Sequence, residues 1–115
     1  MSTDKERHSS IAILCLTKHG ARLGYRLAGQ IPESHLYLPA RLRQGDEAGT
    51  QVTFFEDFAA CFSSLFRSYK GLICIMATGI VVRSLKELVD SKYTDPAVVV
   101  VDEKGRFAIS LLSGH

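Results

Sequence analysis

Short, unbroken apolar runs alternate along the chain with stretches in which apolar residues recur every three or four positions. Residues 11–16, 72–77 and 97–101 are unbroken runs, which are typical of strands buried on both faces of a parallel sheet. Residues 35–38 form another short strand, which Pro39 ends. The pattern therefore predicts several strands separated by helical segments.

Helical periodicity is clearest after the first strand. Leu23, Leu27 and Ile31 recur every four residues and predict a helix over about residues 18–30, which ends before Pro32. Three glycines inside this segment lower its helix propensity, so the start of the helix is uncertain at this level.

Two further helices follow. Aromatic residues at helical spacing predict a helix over residues 56–69, which Gly71 stops. An apolar stripe predicts another over about residues 79–90, with Thr78 as its N-cap. Between the second strand and these helices, residues 40–50 are polar and predict a surface loop.

The last part of the chain predicts a β-hairpin. Gly105 lies in a short polar turn between the apolar runs 97–101 and 106–112. Strands alternating with helices predict an α/β fold, a three-layer α/β/α sandwich with a mostly parallel, Rossmann-like sheet that ends in this hairpin. We expect residues 1–10 to be a disordered tail and residues 11–115 to form a single domain.

Composition and charge narrow the functional classes. The chain has fourteen Lys and Arg residues and twelve Asp and Glu residues, which gives a net charge of +2. Residues of both signs are spread along the chain. We therefore expect neither nucleic acid nor a membrane surface as a partner. No apolar run reaches the roughly 18–20 residues that span a bilayer, and the polar start lacks a signal-peptide core. Cys15, Cys61 and Cys74 lie far apart in apolar stretches, which predicts reduced, buried thiols in a cytoplasmic protein.

Candidate chemistry is expected beyond the carboxyl ends of the parallel strands. Three segments, residues 17–20, 78–79 and 113–115, are candidates for that position, the last of them only if the final strand runs parallel to residues 72–77. The hairpin would bring Asp95-Pro96 beside residues 113–115. We therefore expect a set of side chains to converge at one edge of the sheet: Thr78, Gly79, Asp95, Ser113 and His115.

Each of these residues has a structural explanation beside the functional one. Thr78-Gly79 at a helix N-terminus suits an anion, with Arg83 one turn on as a bidentate carboxylate contact, but a capped helix with a solvated arginine has the same pattern. His115 could be a general base or a mobile terminal imidazole. Asp95 before a proline is a common turn former.

Other polar residues carry weaker signals. His19 and His35 lack an acidic or nucleophilic partner at recognisable spacing, which favours a surface position. Asp102 and Glu103 are interpreted as residues of the hairpin turn. The sequence contains no GxGxxG, GxxxxGK[ST], GxSxG or HExxH motif, and the end of the first strand lacks the clustered acids of a phosphoacceptor receiver domain. These absences disfavour dinucleotide, P-loop, serine-hydrolase and two-component functions.

Three linked motifs of the second half are specific. MATGIVVR, DPAVVVVDEKGRF and ISLLSGH resemble the N-terminal domain of the cobalamin biosynthesis protein G (CbiG) family. Residues 11–70 are compatible with that family without identifying it. The resemblance implies the cobalt-precorrin-5A hydrolase reaction, in which a δ-lactone on a cobalt-bound tetrapyrrole is opened and acetaldehyde is released.

The resemblance also implies site residues and partners. Asp95 and His115 are the expected catalytic residues. The expected substrate-binding residues are Thr78, Gly79, Arg83, Ser113 and Gly114. We expect no cofactor and no protein metal site, because the substrate carries its own cobalt. The expected partners are the tetrapyrrole, the remaining domains of a longer parent protein and a possible homodimer, because family members continue beyond the position of His115.

Two other functions stay open at this level. The chain could be a non-catalytic tetrapyrrole-binding or assembly module, because no self-contained nucleophile–base pair is evident. It could also be a generic nucleotide-binding α/β domain, which rests on fold analogy alone.

Overall fold

The computed structural model describes residues 8–45, 49–89 and 95–113. Six strands and three α-helices occur within these ranges. In chain order they are β1 (His8–Cys15), α1 (Lys18–Gln30), β2 (Ser34–Pro39), β3 (Val52–Phe55), α2 (Phe58–Ser68), β4 (Tyr69–Ile75), α3 (Thr78–Leu85), β5 (Ala97–Val101) and β6 (Ala108–Ser113). A short 3₁₀ turn, Ala40–Leu42, follows β2.

The strands form one sheet in the order β3-β2-β1-β4-β5-β6. All neighbouring pairs are parallel except β5 and β6, which form the predicted antiparallel hairpin. One core cluster joins α1 to one face of the sheet, and a second joins α2 and α3 to the other face. The predicted three-layer α/β/α sandwich with a mostly parallel sheet is therefore confirmed.

The central strand explains the unbroken apolar run of the sequence. In β1, Ala12 and Leu14 pack into the cluster under α2 and α3, while Ile13 and Cys15 pack into the cluster under α1. All four side chains are fully buried. A strand covered by helices on both faces needs apolar residues at every position, so alternation is absent.

The glycines of α1 allow the helix to lie close to the sheet. A Cβ atom on Gly24 would lie 2.6 Å from the Sγ of Cys15 and 2.9 Å from a methyl group of Leu36. The helix begins at a side-chain cap, because the Thr17 hydroxyl accepts a hydrogen bond from the Gly20 N–H. The low propensity of these residues is therefore offset by close packing and a good cap.

The third helix begins differently from the prediction. Ala77 is its N-cap and makes no side-chain capping bond, while Thr78 is already helical. The predicted Thr78 cap is thus wrong. The helix ends at Leu85 rather than near residue 90, because the hydrogen bond of Leu88 N–H to the Leu85 carbonyl tightens the chain into a turn.

Boundaries differ in the middle of the chain as well. The sequence did not predict β3, because it has only four residues and the helical stripe had absorbed Phe55. Gly71 does not stop α2; it lies within β4, where its missing side chain leaves room for Ile11. At the start of the chain, β1 begins at His8, inside the predicted tail, and residues 1–7 lie outside the described ranges.

Candidate functional site

The sheet has two ends that differ chemically. We call the end where β1 to β5 finish the carboxyl edge, and the end where they start the amino edge. The strand order changes direction between β1 and β4, because the chain runs from β1 towards β3 on one side and from β4 towards β6 on the other. A ligand crevice is expected at this point of the carboxyl edge.

The predicted convergence of site residues at one edge is wrong. Thr78 and Gly79 follow β4 at the carboxyl edge. Ala97, the first residue of β5, pairs with Gly71 at the start of β4 and with Ser113 at the end of β6. Asp95 and Ser113 therefore lie at the amino edge, and the strand from Gly71 to Ile75 alone separates the two edges by about 13 Å at roughly 3.3 Å per residue.

The reason is the direction of the chain. Asp95 precedes a parallel strand and so lies at the amino edge, and β6 returns the chain to the same edge because it runs antiparallel to β5. The pairing of the two hairpin ends was predicted correctly. Gly114 and His115 lie outside the described residues.

The predicted residues thus form two groups. In the first group Thr78 and Gly79 begin α3 and Arg83 lies in its last turn. Gly79 and Arg83 are exposed, and nothing lies within 4 Å of a Cβ built on Gly79. In the second group Asp95 is buried, with 9% of its surface accessible, and Ser113 is exposed.

A cleft of about 440 Å³ lies at the carboxyl edge, where the first family-like motif begins and the second ends. We call it the motif cleft. Met76 and Ala77 belong to MATGIVVR, and residues 102–106 belong to DPAVVVVDEKGRF. The lining residues are His19, Met76, Ala77, Asp102, Glu103, Lys104 and Arg106.

The hairpin turn is held against α1 by specific contacts. The Thr17 hydroxyl donates a hydrogen bond of 2.5 Å to the Glu103 carboxylate. Gly105 has a φ of 73° and a Cβ position 3.4 Å from Leu23. The turn therefore lies over the first turns of the helix, and Glu103 lines the motif cleft together with His19.

Asp102 has a structural role in this turn. Its carboxylate accepts hydrogen bonds from the backbone N–H groups of Phe107 at 2.9 Å and Arg106 at 2.7 Å. These bonds lower the pKa of Asp102, with the bond from Phe107 as the largest cause. Asp102 thus stays ionised and shapes the turn.

A second cleft of about 450 Å³ adjoins the other side of the first turn of α1. We call it the basic cleft. It is lined by Lys18, Ala21, Arg22, Tyr25, Leu38, Arg41, Leu42, Arg43 and Gln44. The Arg41 guanidinium donates to the Leu16 carbonyl at 2.7 Å, and the Arg43 guanidinium lies 4.1 Å from the ring centroid of Phe54.

Sequence reasoning named the segment 17–20 but interpreted His19 as a surface residue, interpreted Glu103 as part of the hairpin turn, and did not single out Arg41. A polar residue directly after a predicted parallel strand was the available signal, and both Glu103 and His19 follow strands by a few positions. The docking of the hairpin turn on α1, which brings these two together, depends on packing that periodicity does not encode.

The three thiols are protected rather than reactive. Burial raises the pKa of Cys15 and of Cys74 to about 12 and that of the half-buried Cys61 to about 11. All three are unbridged, and Cys15 and Cys74 are buried as predicted. Within residues 8–45, 49–89 and 95–113, no cluster of three or more His, Cys, Asp or Glu side chains could hold a metal ion, and every helix is too short or too polar to span a bilayer.

Comparison with known proteins supplies the family. The family model for the cobalamin synthesis G N-terminal region matches residues 60–115, which include both motifs of the motif cleft. The resemblance inferred from the motifs is thereby confirmed.

Curated relatives extend the similarity to most of the chain. A cobalt-precorrin-5A hydrolase of Priestia megaterium is 41% identical over 105 residues, which is 90% of this chain and 28% of that protein. A cobalt-precorrin-5A hydrolase of Salmonella typhimurium is 47% identical over 106 residues, which is 92% of this chain and 29% of that protein. The chain thus spans less than a third of the length of these relatives.

A solved structure supports the fold. The crystal structure of a cobalamin biosynthesis protein G homologue from Sulfolobus solfataricus matches 99% of this chain and 32% of that chain, with a TM-score of 0.64 and 20% identity. At 20% identity, this similarity shows that the two chains share a fold. It gives no information about the site.

Proposed function

We propose that this chain is the N-terminal region of a cobalt-precorrin-5A hydrolase, which opens the δ-lactone of a cobalt-bound tetrapyrrole and releases acetaldehyde. The observation that carries the proposal is the similarity of nine-tenths of the chain to two curated hydrolases with that name. Because those relatives are much longer, the rest of the parent protein would supply the remaining part of the site.

We further propose that the motif cleft holds the lactone. Glu103 would act as general base and take a proton from water, whose oxygen then attacks the lactone carbonyl carbon. The bond between the carbonyl carbon and the ring oxygen breaks, which yields a carboxylate and leaves the ring oxygen to be protonated. His19, which lines the same cleft, would deliver that proton. Acetaldehyde then leaves when this hydroxyl loses its proton and the bond between its carbon and the macrocycle breaks, and the macrocycle carbon takes up a proton in its place.

Three features support these roles. The Thr17 hydroxyl orients the Glu103 carboxylate, as a base requires. Lys104 and Arg106 line the cleft and would stabilise the negative charge that develops during the attack. Ala77 lines it too, so the predicted substrate-binding pair Thr78 and Gly79 directly follows the cleft in the chain.

Asp95 stays a predicted catalytic residue and lies with Ser113 at the amino edge, whereas His115 and Gly114, which were predicted with them, lie outside the described residues. One lactone cannot contact both edges, because the length of β5 separates them. We therefore propose the carboxyl edge for the reaction and treat the amino-edge residues as the competing assignment.

The test compares the two edges in the full-length parent protein. We expect Glu103→Gln to lower kcat at least about 100-fold, which is the usual contribution of a general base. We expect Asp95→Asn to retain kcat within about threefold, provided that its melting temperature matches the parent. Acetaldehyde release from the lactone intermediate, measured with a coupled aldehyde dehydrogenase, gives the rates.

Glu87→Gln is the matched control, because Glu87 is an exposed carboxylate after α3. Full activity of Glu103→Gln together with inactive Asp95→Asn would move the reaction to the amino edge. Full activity of both variants would leave this chain as a non-catalytic binding module, and absence of acetaldehyde from the unmodified parent would refute the hydrolase assignment.

Two coarser expectations belong with this proposal. The protonated, unbridged thiols are consistent with the proposed cytoplasmic location. Val82, Val89, Phe107 and Ile109 are exposed apolar residues that a homodimer or the rest of the parent would cover. Light scattering of the chain and of the parent measures which of the two applies.

A further inference from the structure

The basic cleft concentrates positive charge in a chain that is nearly neutral overall. Four cationic side chains line it, namely Lys18, Arg22, Arg41 and Arg43, although the net charge of the whole chain is only +2. No carboxylate belongs to the lining among the described residues. Asp46 and Glu47 follow in the chain and lie outside the described ranges.

Two of these arginines are held in place by the protein. The hydrogen bond to the Leu16 carbonyl fixes Arg41 over the end of β1, and the Phe54 ring supports Arg43. A guanidinium that is already ordered loses less side-chain entropy when it binds a ligand. Its planar N–H groups match the two oxygens of a carboxylate.

The size of the cleft limits what enters it. About 450 Å³ lies in the lower half of the range of roughly 300–1,000 Å³ that small-molecule sites occupy. It accommodates short carboxylate arms better than a whole macrocycle. Lys18 lines the basic cleft and the adjacent His19 lines the motif cleft, so a ligand anchored in the first could reach the second.

We propose that the basic cleft is a carboxylate-binding site that holds the acidic side arms of a polycarboxylate ligand while its reacting part lies at the motif cleft. The inference rests on the proposed function for the choice of a tetrapyrrole as that ligand. The cleft, its charge and its ordered arginines stand independently of the reaction.

The experiment places the same loss of charge inside and outside the cleft. In one variant Arg22→Gln is combined with Arg41→Gln; in the matched control Arg26→Gln is combined with Arg67→Gln. Arg26 is exposed one turn further along α1, and Arg67 is exposed on α2 on the other face of the sheet. Both double variants have a net charge of 0 instead of +2.

The probe is an octacarboxylate porphyrin, titrated into this chain and followed by its absorbance at low and at physiological salt. We expect the cleft variant to weaken Kd at least about tenfold, as the loss of charge-assisted hydrogen bonds implies, and the control to stay within about twofold. Melting curves verify folding, and Arg22→Gln alone, on the exposed surface of α1, serves as a milder variant.

Competition distinguishes the sources of the carboxylates. Displacement of the porphyrin by citrate but not by acetate supports a site for any small polycarboxylate, and resistance to both supports a site for tetrapyrrole arms. Equal weakening in the two double variants, or no porphyrin binding by the unmodified chain, would overturn the inference.

The outcome is separable from the hydrolase assignment. If the parent protein releases acetaldehyde and the cleft variant has an unchanged KM, the inference fails and the proposed function stands. If the cleft variant loses porphyrin binding but the parent releases no acetaldehyde, the proposed function fails and the carboxylate site stands.

Discussion

At the scale of single residues, two glycines in the same helix have opposite roles. Gly24 lies against β1 and β2, where a methyl group would overlap Cys15 and Leu36. Gly29 is exposed, and nothing lies within 4 Å of a Cβ built there. The sequence shows both only as poor helix formers, because propensity does not record the distance between a helix and its sheet.

We expect Gly24→Ala to lower the free energy of unfolding by about 1–3 kcal/mol, because the added methyl overpacks a close contact. Gly29→Ala is the matched control and should raise it by about 0.5–1 kcal/mol, because alanine is the better helix former. Urea denaturation measures both. Equal stabilisation by the two substitutions would show that α1 does not approach the sheet as closely as described.

At the scale of elements, the hairpin connects the fold to the site. Its turn carries Glu103, and its contacts with Thr17 and Leu23 set where that carboxylate lies. Gly105 adopts a φ of 73°, a conformation that residues with a side chain adopt at a cost.

We expect Gly105→Ala to destabilise the chain by about 1–2 kcal/mol, because its left-handed φ is unfavourable for alanine. In the parent protein the same substitution should lower kcat, because it displaces Glu103. Lys104→Ala, in the neighbouring exposed position, is the control for stability. Thermal melts and acetaldehyde assays measure the two effects, and a neutral Gly105→Ala would mean that the turn tolerates rearrangement.

The strands with continuous apolar sequence were predictable and β3 was not. Burial on both faces leaves a strong signal in β1, β4 and β5. At the edge of the sheet β3 has only four residues, and its partly buried aromatics fit a helical stripe equally well. Periodicity alone cannot separate these alternatives in so short a segment.

The order of strands and helices was enough to predict the edge of the sheet at which each site residue lies. A residue that follows a parallel strand and one that precedes the next lie at opposite edges, so Thr78 and Asp95 could have been separated from the element order. The packing of the hairpin turn near His19 could not have been predicted from the element order, because it depends on side-chain contacts between segments that are distant in the chain.

At the scale of the whole molecule, buried thiols link stability to pH. Burial holds the pKa of Cys15 and Cys74 at about 12, against 9.0 for an exposed thiol. Between pH 9 and 12 the unfolded chain therefore binds fewer protons than the folded chain. The contribution of these thiols to the free energy of unfolding is therefore fully present below pH 9 and decreases as the pH rises towards 12.

We expect each of these two thiols to lower the free energy of unfolding by about 1 kcal/mol between pH 7 and pH 10. Urea denaturation at both pH values measures the change. Cys74→Ala should be less stable at pH 7, because it leaves a small cavity, yet should lose less stability on going to pH 10. An equal loss in the variant and the unmodified chain would contradict the linkage.

The central pair of the sheet joins segments that are far apart in the chain. Ile11 of β1 pairs with Gly71 of β4, and β2, β3 and two helices lie between them in sequence. During synthesis on a ribosome, β1 cannot pair with β4 until β4 has emerged. Until then, the edge of β1 that faces β4 has no partner strand. Folding of this chain should therefore be slower than its size suggests, and most exposed to aggregation at that stage.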